Sequence, residues 1–160
     1  MNDQRIRLAV PEDAEALAAC QVASWREAYA PLLSAQMLAG LDVKEFQARW
    51  QRRLADSRHS VFVAVSRNEV VGFAWARPSR DIPPVRELEL VGLYTRSTHY
   101  GNGLGQALFD AAVGDRPCSL WVAQDNARAR AFYARNGLTP DKTNKVDLAL
   151  ENLAEVRLVR

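Results

Sequence analysis

The chain has 160 residues with 21 basic and 19 acidic side chains, so its formal net charge at pH 7 is +2. This charge is too small to indicate nucleic-acid binding by itself, and the apolar and charged fractions of 48% and 25% are ordinary for a globular protein. Because a chain of about 150 residues buries roughly 70% of its unfolded surface, we expect a single domain over residues 1–160.

Cysteine content and hydropathy exclude a disulfide-stabilised protein and a membrane-spanning protein. Cys20 and Cys118 are too few for a disulfide framework and have no second pair for a metal, so no metal is expected. No apolar run approaches the roughly 18 residues of a membrane span, and the N-terminus is polar. The sequence therefore predicts a cytoplasmic protein with no membrane partner and no nucleic-acid partner.

The N-terminal half is predicted to contain a strand, two helices and an antiparallel hairpin. Pro11 favours a helix start, and Asp42 with Glu45 has the spacing of a capping box. Four arginines between Arg49 and Arg58 lie on the second helix or just after it, and we interpret them as solvated. The predicted elements are a strand over 5–9, a helix from 11 that ends by Pro31, a helix from 42, and hairpin strands over 61–65 and 70–75.

The C-terminal half is predicted to alternate strands and helices. A strand, a crossover helix and a second strand in one sheet imply that the two strands are parallel. The segment 142–150 fits either a strand or a loop. The predicted elements are a strand over 86–95, a helix over 106–113, a strand over 118–123, a helix from Asp125 or Asn126 that stops at Gly137, and a strand over 155–159.

Three glycines at alternate positions, Gly101, Gly103 and Gly105, lie between a strand-like run and a helix-like run. A strand, a glycine-rich turn and a helix N-terminus bring together unpaired backbone N–H groups and the positive end of a helix dipole, which favours phosphate binding. Asn-Gly is also a hairpin-turn signal. A helix is favoured here because Leu104 and Leu108 recur at helical spacing.

The spacing of these glycines excludes two known phosphate loops. A P-loop would need a Lys-Ser/Thr pair after the glycines, and none follows. A dinucleotide-binding fingerprint would need glycine at Gln106 or Leu108, according to where it is counted from. The loop therefore belongs to a different kind of site.

The second informative segment is the helix predicted after the strand over 118–123. Asn126 is a suitable N-cap, and Gly137 is a suitable stop. Asn126 and Tyr133 are seven residues apart, nearly two helical turns, so they share one side of the helix while Phe132 points elsewhere.

These two segments together resemble the GNAT superfamily of acyl-CoA-dependent N-acetyltransferases. The family's loop is usually written Q/R-x-x-G-x-G/A; Gly103 and Gly105 match its last two fixed positions, and Tyr100 stands where Gln or Arg is usual. In the second segment the matching residues are Asn126, Ala129, Phe132, Tyr133 and Gly137. The resemblance implies an α/β (α+β) fold: a mixed, mostly antiparallel sheet of six to seven strands, helices on both faces, and two splayed central parallel strands.

The resemblance also implies acetyl-CoA as the co-substrate. Its pantetheine arm would pair with the backbone of Leu93, Tyr94 and Thr95, with Asn126 supporting the arm from the facing helix. Its pyrophosphate would bind the loop residues Gly101, Asn102, Gly103, Leu104, Gly105 and Gln106.

Acetylation of a primary amine requires a base and an acid. An amine with a pKa near 10.4 is protonated at pH 7, and deprotonating it costs roughly 4–5 kcal/mol. Glu89 resembles the family's acidic position and is our candidate base, with Glu87 as the alternative; a surface ion pair with Arg77, Arg80 or Arg86 is the competing interpretation of either carboxylate. Tyr133 matches the family tyrosine that protonates the leaving thiolate.

The acceptor is indicated only as a primary amine, on a small molecule or a peptide. By resemblance, Trp25, Tyr29 and Trp75 are candidate walls of its pocket, although each could equally be a core residue. Whether the chain forms a homodimer stays open. Two other functions also stay open: a non-catalytic acyl-CoA-binding domain, and a nucleotide or nucleic-acid binder that uses the glycine loop and the basic helix.

Overall fold

The structure, a computed structural model, describes residues 4–160. Within them the strands are β1 (Gln4–Leu8), β2 (Ser60–Ser66), β3 (Glu69–Pro78), β4 (Leu88–Thr95), β5 (Ser119–Ala123), β6 (Thr139–Asp147) and β7 (Leu153–Val159). The helices are α1 (Ala14–Ala28), α2 (Ala35–Ala39), α3 (Val43–Ala55), α4 (Leu104–Ala112) and α5 (Ala127–Arg135), with short 3-10 turns at Pro11–Asp13, Ser97–His99 and Leu148–Leu150.

The seven strands form one sheet in the order β1-β2-β3-β4-β5-β7-β6. Neighbouring strands are antiparallel except β4 and β5, which are parallel. This arrangement confirms the mixed, mostly antiparallel fold that the sequence predicts. β4 and β5 pair at a single position, Glu89 opposite Ser119, and beyond it the two strands separate.

Helices cover both faces of the sheet. On one face, a core that includes Leu17, Trp50 and Phe73 joins α1 and α3 to β2 and β3. On the other face, Leu108 of α4 and Leu120 of β5 belong to a second core, against which α5 also packs. No helix within the described residues is both long and apolar enough to cross a membrane.

At the starts of α1 and α3, an aspartate just before the helix accepts a backbone N–H and so helps to set where the helix begins. Asp13 accepts a hydrogen bond from the Val10 N–H and pairs with Arg7, which fixes a 3-10 turn before α1 begins. At the start of α3, Asp42 caps the helix by accepting the Lys44 N–H at 2.8 Å. The predicted capping box is not completed, because the Glu45 side chain instead pairs with Arg49.

Several boundaries in the C-terminal half differ from the sequence prediction; the helix predicted over 106–113 spans Leu104–Ala112, and the strand predicted over 155–159 begins at Leu153. The strand expected from 86 begins at Leu88, because the preceding residues belong to the connection from β3. The ambiguous segment 142–150 is a strand up to Asp147, whose side chain then caps a 3-10 turn by accepting the Ala149 N–H.

A β-bulge interrupts the pairing of β3 with β4. Ala76 lies opposite Leu90 and Trp75 lies opposite Gly92, so Val91 is an extra residue on β4. A bulge bends its strand and shifts the alternation of side chains by one residue. β4 is therefore redirected just after its single point of contact with β5, Glu89.

Candidate active site

A cleft of about 700 Å³ lies where β4 and β5 separate. Gln106 and Tyr133 line it from the face that carries α4 and α5, and Tyr29 with Leu32 lines it from the opposite face. Strand residues 90–95 lie between these two groups. The gap between the strands therefore connects the two faces of the sheet.

The backbone of β4 presents unpaired groups to this cleft. The Arg96 N–H donates to the Val71 carbonyl of β3 at 2.9 Å. Because hydrogen-bonded and non-hydrogen-bonded pairs alternate along an antiparallel ladder, the backbone of Tyr94 also faces β3, whereas that of Leu93 and Thr95 faces the gap. The pantetheine contact predicted for three residues is thus available at two of them, and Tyr94 lines the cleft through its side chain.

The glycine loop leads into α4 as predicted, with left-handed backbone at Gly101 (φ 74°) and at the N-cap Gly103 (φ 85°). Asn102 accepts the Leu104 N–H at 3.0 Å, and the Leu104 side chain is buried in the core. Neither residue is among those that line the cleft. Asn102 and Leu104 therefore shape the loop, and the Leu104 N–H is not free for a phosphate.

Other amides of this segment remain available. The first N–H of this segment with an intrahelical partner is that of Ala107, which donates to the Gly103 carbonyl at 3.0 Å. The N–H groups of Gly103, Gly105 and Gln106 come before it, and none has a hydrogen-bond partner within residues 4–160. A Cβ at Gly105 would lie 3.8 Å from Phe132 and 3.9 Å from Leu93, two other residues of the cleft lining. The missing side chain leaves room for a ligand to approach the helix N-terminus.

Arg128, near the start of α5, contributes a positive charge that the sequence reasoning missed. Its guanidinium carbon lies 3.2 Å from the centroid of the Tyr100 ring, and both residues line the cleft. No carboxylate forms a salt bridge with Arg128 in the described part of the chain. Its position two residues after Asn126 was a usable signal, but spacing alone does not indicate that α5 turns this side towards the glycine loop.

Tyr133 is buried against the cleft, and its hydroxyl takes part in no hydrogen bond within the described residues. Burial raises the pKa of the Tyr133 phenol well above its usual range, so the group stays protonated at neutral pH. Asn126 caps α5 by accepting the Ala129 N–H at 3.1 Å, and it also lines the cleft.

The predicted walls of the acceptor pocket have different surroundings. Tyr29 lines the cleft, and its hydroxyl lies 2.8 Å from that of Tyr94. Burial raises the pKa of both phenols. Trp25 packs edge-on against Tyr29 without lining the cleft. Trp75 is outside the lining too, because its indole N–H donates to His59 in the core beneath α3.

Glu89, the predicted base, is held in an ion pair. Its side chain is 2% exposed and is not part of the cleft lining. Arg80 donates to one carboxylate oxygen at 2.7 Å and, through its side chain and backbone N–H groups, to the other at 3.1 Å. Glu89 therefore forms the ion pair with Arg80 that was the alternative to its role as a base. The carboxylate is buried, however, and not at the surface.

Comparison with known proteins identifies the family. A sequence model of the acetyltransferase (GNAT) family matches residues 21–138, well over half of the chain. The chain belongs to this family. The GNAT resemblance inferred from the glycine loop and from α5 is thereby confirmed.

Similar GNAT proteins cover most of the chain. An uncharacterized N-acetyltransferase of Bacillus subtilis, YuaI, is 30% identical over 76% of this chain and 72% of its own length. An uncharacterized N-acetyltransferase of Mycobacterium tuberculosis is 28% identical over 92% of this chain and 97% of its own. The crystal structure of PaiA N-acetyltransferase from Thermoplasma acidophilum, in complex with coenzyme A, is 18% identical, has a TM-score of 0.76, and covers 98% of this chain and 99% of that one. This last likeness supports the fold.

The glycine loop gives a test of backbone strain without steric contact. Gly103→Ala should lower the free energy of unfolding by about 1–2 kcal/mol, because L-residues pay that cost in left-handed backbone. A Cβ there would meet no atom within 4 Å, so strain is the only source of the loss. Urea unfolding monitored by circular dichroism measures the change.

Gly105→Ala is the matched control, because its backbone is helical and its Cβ would make ordinary contacts. It should leave stability unchanged or raise it slightly. Equal destabilisation by the two variants would contradict the left-handed conformation at Gly103.

Proposed function

We propose that this GNAT protein is an N-acetyltransferase that transfers the acetyl group of acetyl-CoA to a primary amine by direct attack in a ternary complex. The observation that carries the proposal is a cleft that connects both faces of the sheet. Free amides of the glycine loop lie on one side of it, and the Tyr29–Tyr94 pair lies on the other. Two substrates can therefore reach the gap from opposite faces.

The residues of the cleft fit the chemistry of coenzyme A. The backbone groups of Leu93 and Thr95 that face the gap can pair with the amides of a pantetheine arm, as another strand would. Amides at the N-terminus of α4 and the Arg128 guanidinium supply the donors and the positive charge that a pyrophosphate requires. When bound, acetyl-CoA supplies the acetyl thioester.

Direct attack is favoured because neither cysteine is suited to carry the acetyl group. Cys20 and Cys118 are buried, and neither lines the cleft. Burial raises the pKa of the Cys20 thiol to about 11 and also raises that of Cys118. Both thiols therefore stay protonated at neutral pH, where a covalent route would need a thiolate.

Tyr133 is proposed as the acid that protonates the departing thiolate. Its phenol is protonated at neutral pH, lines the cleft, and has no competing partner within residues 4–160. A phenol is normally a weaker acid than a thiol, with pKa values of about 10 and about 8.5. Burial disfavours both anions, so a thiolate held in the same cleft is also a stronger base than it is in water.

Ligand binding and thiol release test the proposed function together. Acetyl-CoA and CoA should raise the melting temperature, because a ligand that binds only the native state stabilises it, whereas NAD and ATP should raise it less. Incubation of acetyl-CoA with a panel of primary amines should then release free thiol. Stabilisation without thiol release from any amine would favour a non-catalytic acyl-CoA-binding domain. A shift with NAD or ATP alone would favour a nucleotide-binding module.

The role of Tyr133 is tested by removal of its hydroxyl. Tyr133→Phe should lower kcat about 100-fold, in line with the loss of a general acid, with little change in the Kd for acetyl-CoA. Stopped-flow or steady-state thiol release gives kcat, and calorimetry gives the Kd. An unchanged kcat would remove Tyr133 from the acid role, and a parallel loss of binding would instead assign it to the cofactor site.

A further inference from the structure

Two carboxylates near the cleft are already neutralised by arginines. Arg80 engages both oxygens of Glu89. Glu27 lines the cleft, but it accepts hydrogen bonds from Arg96 and from the Ser97 N–H. Neither carboxylate can take up a proton from an amine without the loss of its ion pair.

Glu155 differs from both. It lies on β7 opposite Ala123 of β5 and Lys145 of β6, and its side chain is 15% exposed. Its Oε2 atom is 3.5 Å from the Nζ atom of Lys145, which is longer than the roughly 2.7–2.9 Å of a charge-assisted hydrogen bond. The carboxylate is thus desolvated but only loosely paired.

Lys145 places a primary ammonium group against an aromatic ring of the cleft. Its Nζ atom lies 4.3 Å from the centroid of Trp121, and Trp121 lines the cleft. The ring is held in place because its indole N–H donates to Asp81 at 3.2 Å. The Lys145 side chain is 42% exposed on the edge strand β6, so it can leave this position. A ring and a carboxylate therefore already hold an ammonium group here.

This position adjoins the acceptor side of the cleft. Ala123, the residue opposite Glu155, packs in a cluster with Tyr29. Tyr94 packs against the same cluster, as does Leu153, two residues before Glu155 on the same side of β7. Glu155 is not itself part of the cleft lining, but these neighbours place it beside the paired tyrosines that are.

We propose that the Trp121 ring and the Glu155 carboxylate form the binding site for the ammonium group of the acceptor, that Lys145 competes for this site, and that Glu155 takes up the proton the amine must lose. The inference rests on the proposed acetyl transfer. A lysine side chain in the site indicates the substrate class, a primary amine at the end of an unbranched alkyl chain. Cation–π contact and an adjacent carboxylate both favour such a group.

The proton balance of the proposed step is complete with Glu155, Tyr133 and solvent. An N–H bond of the ammonium breaks and its proton passes to Glu155. The nitrogen lone pair forms the C–N bond as the C–S bond breaks, and Tyr133 gives its proton to sulfur. The second proton lost by nitrogen restores Tyr133, and Glu155 releases its proton to solvent. Ammonium and thioester thus give amide, thiol and one proton.

The surroundings of Glu155 suit proton uptake. Burial raises the pKa of its carboxyl, and the nearby Lys145 ammonium opposes that rise. Because the pKa is raised, activity should fall as the pH falls through it, when the carboxylate becomes protonated. The titratable and charged groups that face it from other elements are Lys145 and Asp147 of β6, Arg80 of the β3–β4 connection, and the phenols of Tyr29 and Tyr94. On β7 itself, Arg157 lies on the same side, with its guanidinium carbon 5.6 Å from the centroid of the Trp121 ring.

Steady-state kinetics with n-butylamine from about pH 6 to about pH 10 tests the proposal. Glu155→Gln should lower kcat/KM about 100-fold at neutral pH. The wild type should reach a plateau above the pKa of Glu155, whereas the variant should keep rising with unit slope to the pKa of the amine, about 10.4. Lys145→Gln should lower the KM for n-butylamine roughly two- to fivefold, as expected for the loss of a weak, partly exposed competitor.

Glu45→Gln is the control for charge, because Glu45 lies on α3 and its side chain is 62% exposed. It should retain wild-type kinetics. Binding is measured separately from turnover as the change in the Trp121 indole N–H resonance on addition of n-butylammonium, which should saturate at lower concentration in Lys145→Gln than in the wild type. If Glu155→Gln does not fold, the KM of Lys145→Gln and this titration still test whether the ammonium group binds beside Trp121.

The outcomes separate the two proposals. Acetylation of n-butylamine with a wild-type pH profile in Glu155→Gln, or a higher KM in Lys145→Gln, would overturn the ammonium site and leave acetyl transfer intact. A Trp121 shift without acetylation of any amine would overturn the proposed function and leave the site intact. No shift in either the wild type or Lys145→Gln would overturn the site.

Discussion

The separation of β4 from β5 after one residue pair is the constraint on which the rest of the structure depends. The bulge at Val91 bends β4 just after Glu89, so the backbone groups of Leu93 and Thr95 lose a neighbouring strand. Unpaired backbone groups inside a protein are costly unless a partner satisfies them. The fold therefore accepts a local cost that a strand-like ligand can remove, and the helices on both faces hold the gap open.

The gap between β4 and β5 determines which side chains and backbone amides reach the cleft. α4 and α5 meet it from one face, so the free amides after Gly103 and the phenol of Tyr133 reach the same cleft. α1 meets it from the other face and brings the hydroxyl of Tyr29 to that of Tyr94. Free backbone amides, a protonated phenol and a pair of tyrosine hydroxyls are thus ordered along one path through the sheet.

The features that the sequence predicts correctly have local causes. The glycine loop, the N-cap Asn126 and the parallel strand pair follow from patterns within short segments, whereas the mixed sheet follows only from the family resemblance. The bulge at Val91 has no comparable local signal, because it arises where β3 and β4 pair. The family resemblance implies three consecutive backbone contacts on β4, but hydrogen bonding alternates along the ladder with β3, so only the backbone of Leu93 and Thr95 faces the gap.

The features that could not be predicted from the sequence depend on contacts between segments that are distant along the chain. Arg80 covers Glu89 because the β3–β4 connection folds back over its strand, and Arg128 stacks on Tyr100 because α5 packs beside the glycine loop. The environment of Trp75 depends in the same way on α3. Residue type and spacing identify such residues as candidates, but only the tertiary fold determines which of them come into contact.

Hydrogen–deuterium exchange with and without CoA tests the central claim most directly. If CoA binds along the open side of β4, exchange should slow at the amides of Leu93 and Thr95 and at those of Gly103 and Gly105. The Tyr94 amide, which already faces β3, should change little. Unchanged exchange at Leu93 and Thr95 under saturating CoA, with protection confined to other segments, would contradict the account.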